Sequence, residues 1–287
     1  MRFVTLRRSD GTTSAAELVD GAAKLFDAPD VGALITLRAQ GREVATTGEL
    51  DASGLDLAPV VTAPGKIICV GANYKAHLAE MGVDVPDHPT LFAKYSESLI
   101  GPEDDIALPA MSHAMDWEAE LAYVIGTEIR RGSEAEARDA IAGYTVTNDI
   151  TARDVQFRTM QWLQGKTFEG TNPLGPLLVT PDEVDHADDL EITCTVNGEV
   201  MQSARTSDMV FPPAAVVSYL SHIVTLKPGD LILGGTPSGV GHARKPPVAL
   251  EARDVVVTSV ESIGTLTNPC VRESSSTTGE DKSGAAA

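Results

Sequence analysis

Three acidic residues at alternate positions, Asp116, Glu118 and Glu120, open a stretch that turns apolar through Leu121-Ala122-Tyr123-Val124-Ile125 and stops at Gly126. The β-forming residues and the closing glycine predict a strand. Alternate residues of a strand face the same way, so the three carboxylates share a face with Ala122 and Val124. Like charges this close repel, and burying them unpaired is costly. A hard divalent cation with oxygen ligands relieves both problems. A solvated strand face is the other reading of the same spacing.

A second pair of chemically able residues is His77 and Glu80. They lie in Ala72-Asn73-Tyr74-Lys75-Ala76-His77-Leu78-Ala79-Glu80-Met81-Gly82, a short helix-compatible run with a glycine stop. Three residues apart, they share one face of a helical turn. A carboxylate beside an imidazole can orient it, as a general base requires. A surface ion pair is the plainer alternative. The loop from Val83 to Pro89 holds two prolines, and a short helix followed by such a loop suits a lid over a site. Gly234-Gly235-Thr236-Pro237-Ser238-Gly239-Val240-Gly241 is a third feature. It is no phosphate-binding Walker loop, since no Gly-Lys-Ser/Thr follows, and a tight turn is the simple reading.

The elements that must position these groups read as mostly β. Lys66 to Gly71 is a buried-type strand, and Thr90 to Tyr95 is another. Glu134 to Ala142 reads as a helix, and Tyr144 to Ile150 as a strand that delivers one more carboxylate, Asp149. Asn172 to Pro176 reads as a turn. Ile192 to Val196 and Glu199 to Met201 flank an Asn197-Gly198 hairpin signal. Pro212 to Thr225 is a helix, and Leu231 to Leu233 a strand leading to the glycine-rich turn. Residues 1–62 predict a small α+β domain with a helix near Ala33 to Ala39. Residues 63–272 form the main domain, and 273–287 a disordered Ser/Thr/Gly/Ala tail.

The chain has 287 residues, enough for a large core plus a small domain. Lys plus Arg total 22 against 41 Asp plus Glu, a formal net charge of −19. So acidic a chain argues against nucleic acid and anionic membrane as partners. An anionic substrate then needs a local cation, either a metal or a placed Lys or Arg. The three cysteines, Cys69, Cys194 and Cys270, form no CxxC and cannot all pair, so a reduced, cytoplasmic protein is expected. The start turns polar at once, without an apolar signal core, and no run approaches about 18 apolar residues.

Taken in order, five motifs over roughly residues 64 to 270 resemble the fumarylacetoacetate hydrolase family. They are Gly71 to Glu80, read Gly-x-Asn-Tyr-x-x-His-x-x-Glu; Phe92-Ala93-Lys94 with Leu99 to Pro102; Asp116-Trp117-Glu118-Ala119-Glu120; Asn148 to Asp154 with Gln156 and Lys166; and Pro228-Gly229-Asp230 leading to Gly235 to Gly241. The resemblance implies an α+β, β-rich fold, a mixed β-roll around a deep site behind a small N-terminal α+β domain. It implies Mg²⁺ or Mn²⁺ held by Glu118, Glu120 and Asp149, with Asp116 a turn stabiliser. It implies 2-oxo acid substrates such as acylpyruvates, and a homodimer.

On that resemblance His77 takes a proton from water, Glu80 orients His77, and Lys166 stabilises a developing oxyanion or positions the water. Gln156 donates to the same oxygen, and Thr236 binds the substrate carboxylate. Lys94 contacts substrate or supports the fold, and Arg153 with Asp154 forms a structural pair. The leading expectation is hydrolysis of the C–C bond of acylpyruvates. The run from Gln161 to Gly170 looks like relatives acting on fumarylpyruvate. The alternative is a decarboxylase or isomerase of oxaloacetate or of the oxo-diacids of aromatic catabolism. A non-catalytic oxo-acid binder is a third reading.

Overall fold

The computed structural model describes residues 1–273; the tail expected beyond them falls outside the described residues. Two large sheets and a two-stranded ribbon carry the described residues, and few helices accompany them. The larger sheet has 11 strands. Its centre runs from Asn172–Val179 through Ile141–Asn148 and Ala119–Ile125 to Leu231–Leu233, Ile67–Gly71 and Thr90–Ala93. The smaller sheet has five strands, ordered Glu199–Arg205, Glu191–Val196, Val255–Val260, Gly264–Arg272 and Ile106–Leu108.

The main core lies between the two sheets. Leu121, Tyr123 and Val146 from the large sheet meet Ile192, Cys194, Val256 and Leu266 from the small one. A second core lies on the other face, where Ala122, Val124, Leu174 and Leu178 pack with Val31 and Leu34 of the helix Val31–Ala39. The acidic strand is therefore covered on both faces, and every residue from Ala119 to Ile125 is buried. Carboxylates entering from its end are thereby held out of bulk water.

The first sixty residues, expected as a unit of their own, continue the large sheet. Arg2–Arg7 pairs antiparallel with Asn172–Val179, and Thr13–Val19, Ala22–Phe26 and Thr46–Asp51 follow outward.

Several local expectations change. Asn172 to Pro176 is no turn but the first part of the strand Asn172–Val179. Its neighbours explain this: Asn172 and Pro173 align in parallel with Leu99 and Ile100, and Pro176 follows Gly175 at a register shift opposite Tyr144 and Val146, an irregularity of the kind that admits proline within a sheet. The acidic strand is broken. Met115–Asp116 pairs with Thr151–Ala152, and the long strand starts only at Ala119. The helix beginning at Glu134, fixed by a Ser133/Glu136 capping box, stops at Asp139. Ile141 already belongs to the next strand.

The signals at both helix and hairpin ends act as their chemistry dictates. Gly82 closes the helix Lys75–Met81 in the left-handed region, at φ 68° and ψ 32°. Asn197 and Gly198 both take positive φ, 53° and 81°, as a tight hairpin requires.

Candidate metal centre and acid–base site

Glu118, Glu120 and Asp149 each offer an oxygen, and these oxygens all lie within 4.8 Å of one another. Backbone pairing fixes this spacing. Ala119 aligns with Asn148 across the antiparallel strands, so Glu118 and Asp149 leave adjacent strand ends side by side. The Asp149 N–H donates to the Glu118 carbonyl at 2.8 Å, and the Glu118 N–H donates to Asn148 Oδ1 at 2.8 Å.

Three cations meet these carboxylates. Lys166 Nζ lies 2.6 Å from Glu118 Oε2 and 2.8 Å from Asp149 Oδ2. The Lys94 ammonium donates to Asp149 Oδ1. Arg153 Nη2 lies 2.7 Å from Glu118 Oε1, in contact but without hydrogen-bond alignment, while its Nε donates to Asp116 Oδ2 at 2.8 Å. Glu120 differs: among the described residues its one hydrogen bond is from the Gly235 N–H, at 2.8 Å.

The electrostatics follow this asymmetry. Burial pushes the Glu118 carboxyl up, but Lys166 and Arg153 outweigh it and hold the group below its ordinary value. Burial, then Asp149 and Glu118, push Glu120 well above the carboxylate range. Burial opposes charge on Lys166, yet Asp149 and Glu118 raise it overall. Three convergent carboxylates, one of them without a cationic partner, suit a hard divalent ion that prefers oxygen ligands.

His77 and Glu80 form the pair their spacing predicts. His77 Nδ1 lies 2.8 Å from Glu80 Oε2, and Glu80 Oε1 accepts the Gly239 N–H at 2.9 Å. The carboxylate thus fixes the ring and ties the helix Lys75–Met81 to the glycine-rich turn. His77 Nε2 makes no hydrogen bond among the described residues, and His77 lines the same cavity as Glu118 and Glu120. The helix is anchored elsewhere too, since the Ala76 N–H donates to Asp208 Oδ2 at 3.0 Å. The exposed part of the expected lid is the loop carrying Val83 and Val85.

Gln156, Lys166 and Thr236 line that cavity as well, which measures about 90 Å³. Thr236 Oγ1 accepts from Gln202 Nε2 at 2.8 Å, which leaves its own O–H to donate. Gln156 Oε1 accepts from Arg153 Nη1 at 3.1 Å. Lys94, expected at the substrate, sits behind Asp149 instead and does not line the cavity.

Three residues do more than their sequence context indicates. Arg153 does not pair with Asp154. It turns inward to Asp116 and Glu118, whereas Asp154 binds Ser112 Oγ at 2.6 Å and His113. Asp116 also accepts the N–H groups of Trp117, Gly241 and His242, which pins the glycine-rich turn. Asn73, inside the first motif, acts as a brace that nothing in its local sequence announces. Its side chain bridges the Gly234 carbonyl and both backbone groups of Phe211.

A family description, fumarylacetoacetate (FAA) hydrolase C-terminal, matches residues 66–271. The chain belongs to the fumarylacetoacetate hydrolase family. A relative from Xenopus laevis, named as a mitochondrial oxaloacetate tautomerase, is 46% identical over 224 residues, covering 77% of this chain and 70% of its own. A solved fumarylacetoacetate hydrolase from Exiguobacterium antarcticum superposes with a TM-score of 0.85 at 33% identity, over 95% of this chain and 100% of its own. A 2-hydroxyhepta-2,4-diene-1,7-dioate isomerase from Mycobacterium marinum gives 0.77 at 37% identity, over 95% and 99%. These likenesses bear out the β-rich fold of the fumarylacetoacetate hydrolase family.

The cytoplasmic placement expected from the cysteines does not stand, because the Xenopus relative carries mitochondria in its name. Buried, unpaired thiols report a reducing surrounding and not a compartment, and all three cysteines are of that kind. Among the described residues no helix is long and apolar enough to cross a membrane.

Proposed function

We propose that this enzyme interconverts the enol and keto forms of a small 2-oxo diacid of the oxaloacetate type, with a divalent metal. The observation that carries this reading is the 46% identity to an oxaloacetate tautomerase over 77% of the chain. It reverses the order drawn from the sequence, where C–C hydrolysis of acylpyruvates led and the oxo-diacid chemistry came second. The isomerase among the structural neighbours supports the same direction. A cavity of about 90 Å³ suits a short acid.

Tautomerisation moves one proton between C3 and the C2 oxygen and consumes no water. In the keto-to-enol direction His77 Nε2 takes the C3 proton and delivers it to the C2 oxygen, and in the reverse direction it carries the proton from that oxygen back to C3, while Glu80 holds the ring at Nδ1. The Lys166 ammonium offsets negative charge developing on the C2 oxygen. The Thr236 hydroxyl and the Gln156 amide donate to the carboxylates. A divalent ion held by Glu118, Glu120 and Asp149 supplies Lewis-acid polarisation of the substrate when bound. Mg²⁺ or Mn²⁺ fits the oxygen donor set. Assembly as a homodimer belongs to the same reading, and light scattering at a monomer mass would remove that part.

The test follows the ultraviolet absorbance of enol-oxaloacetate with Mg²⁺-loaded protein, beside parallel assays of oxaloacetate decarboxylation and acylpyruvate hydrolysis. Accelerated decay of the enol without loss of total oxo acid supports the reading. Turnover of acylpyruvates alone overturns it in favour of hydrolysis.

A further inference from the structure

Trp162 stands on the loop after the helix Arg153–Gln156 and lines the same cavity as Glu118 and Glu120. Its indole occupies a notch that exists because residue 71 is glycine. A Cβ at Gly71 would lie 3.0 Å from Trp162 Cη2 and closer still to Cζ3, distances that real side chains do not tolerate. On its other side the indole meets the Phe92 ring edge-on, with centroids 5.5 Å apart. Phe92 in turn lies 5.1 Å from Lys166 Nζ. An aromatic wall thus runs from the cation at the carboxylate cluster outward to Trp162. The indole is half-buried and wedged between backbone and ring, so it cannot retreat without leaving the notch.

We propose that Trp162 is the residue that limits substrate length, so that the cavity accepts short 2-oxo diacids and rejects longer ones. This rests on the proposed reaction for its choice of ligand class. A 2-oxo acid whose head sits at Glu118 and Glu120 has about 90 Å³ of cavity to fill, and the indole forms part of its wall. Each further methylene then meets an aromatic wall instead of open space. Discrimination of one methylene by a packed pocket is typically about 10- to 200-fold.

The test is calorimetric binding of oxalate, 2-oxoglutarate, 2-oxoadipate and 2-oxopimelate to the Mg²⁺-loaded full chain. For the wild type, affinity should fall at least about tenfold from the shortest to the longest oxo-diacid. Trp162→Ala should remove most of that fall and leave oxalate, which lacks a distal end, within about twofold. Trp162→Phe, which keeps an aromatic ring in the notch, should lie between and guards against a folding failure of the alanine variant. A wild-type length dependence that survives in both variants overturns the proposal. So does a flat profile in the wild type, or equal weakening of oxalate and the long acids. If the wild type shows no tautomerase activity but the length profile responds as described, the assigned reaction fails and the length gate stands.

Discussion

The Lys166 ammonium lies 2.6 Å from Oε2 of Glu118, so a candidate metal ligand and a candidate catalytic cation share one buried ion pair. With Lys94 and Arg153, it balances much of the charge that the acidic motif brings inside. The site is thus held by its own cations as well as being open to an added one.

Lys166→Met leaves Glu118 and Asp149 short of a cation. Breaking a buried pair typically costs about 3–5 kcal/mol. Saturating Mg²⁺ reaches the same carboxylates and should return part of the loss. Thermal melts with Mg²⁺ and with chelator should therefore show a larger metal-induced rise in the variant than in the wild type. Equal rises would separate Lys166 from the metal site.

Glu120→Gln should act in the opposite sense. Glu120 has a backbone N–H for a partner and no cation, while Asp149 and Glu118 repel its charge. Replacing the carboxyl by an amide removes the cost of burying an ionisable group beside two carboxylates, so it should raise the melting temperature in chelator and shrink the stabilisation by Mg²⁺, which for the wild type is about 2.7 kcal/mol at one hundred times the dissociation constant. A variant that melts lower in chelator would show that the carboxylate is compensated by something else.

His77→Ala should lower enol–keto conversion by about 100- to 10,000-fold, the usual range for loss of a general base. Mg²⁺ and oxalate affinity should hardly change, because His77 contacts Glu80 and none of the three carboxylates. Glu80→Gln should be milder, since an amide can still accept from the ring. Calorimetry beside the ultraviolet assay separates these cases, and a parallel fall in oxalate binding would make His77 a binding residue instead.

Arg153→Met and Asp154→Ala should diverge although the residues are neighbours. Arg153 compensates Asp116 and Glu118 in the interior, so its loss should cost about 3–5 kcal/mol. Asp154 faces Ser112 and the exposed His113, and its loss should cost about 1 kcal/mol or less. Chemical denaturation of the two variants gives the comparison directly.

These contrasts mark where the sequence is readable. Alternation in the acidic motif brings Glu118 and Glu120 forward, and Asp149 follows from the strand that ends beside them. His77 and Glu80 are three residues apart, so local geometry suffices. Arg153 defeats the same approach, because its partner Asp116 is 37 residues distant and meets it only through the pairing of Met115–Asp116 with Thr151–Ala152. Asn172 to Pro176 misleads for a related reason: prolines and a glycine signal a turn locally, and strands on either side override them. Lys94 is open to a substrate or a fold-supporting role in sequence, and the tertiary fold decides it, since it pairs with Asp149 away from the cavity while Lys166 lines it.

The pairing of Arg2–Arg7 with Asn172–Val179 carries a lesson about where this protein can be cut. The matched C-terminal family description begins at residue 66, and a truncation there would look natural from that match alone. It would strip a neighbour from a strand that lies one place away from the one delivering Asp149, and bare Leu174 and Leu178 where Phe3 and Val31 now cover them. An unpaired edge of that kind invites intermolecular pairing. The border of the matched C-terminal family description and the border of the large sheet are different places in this chain.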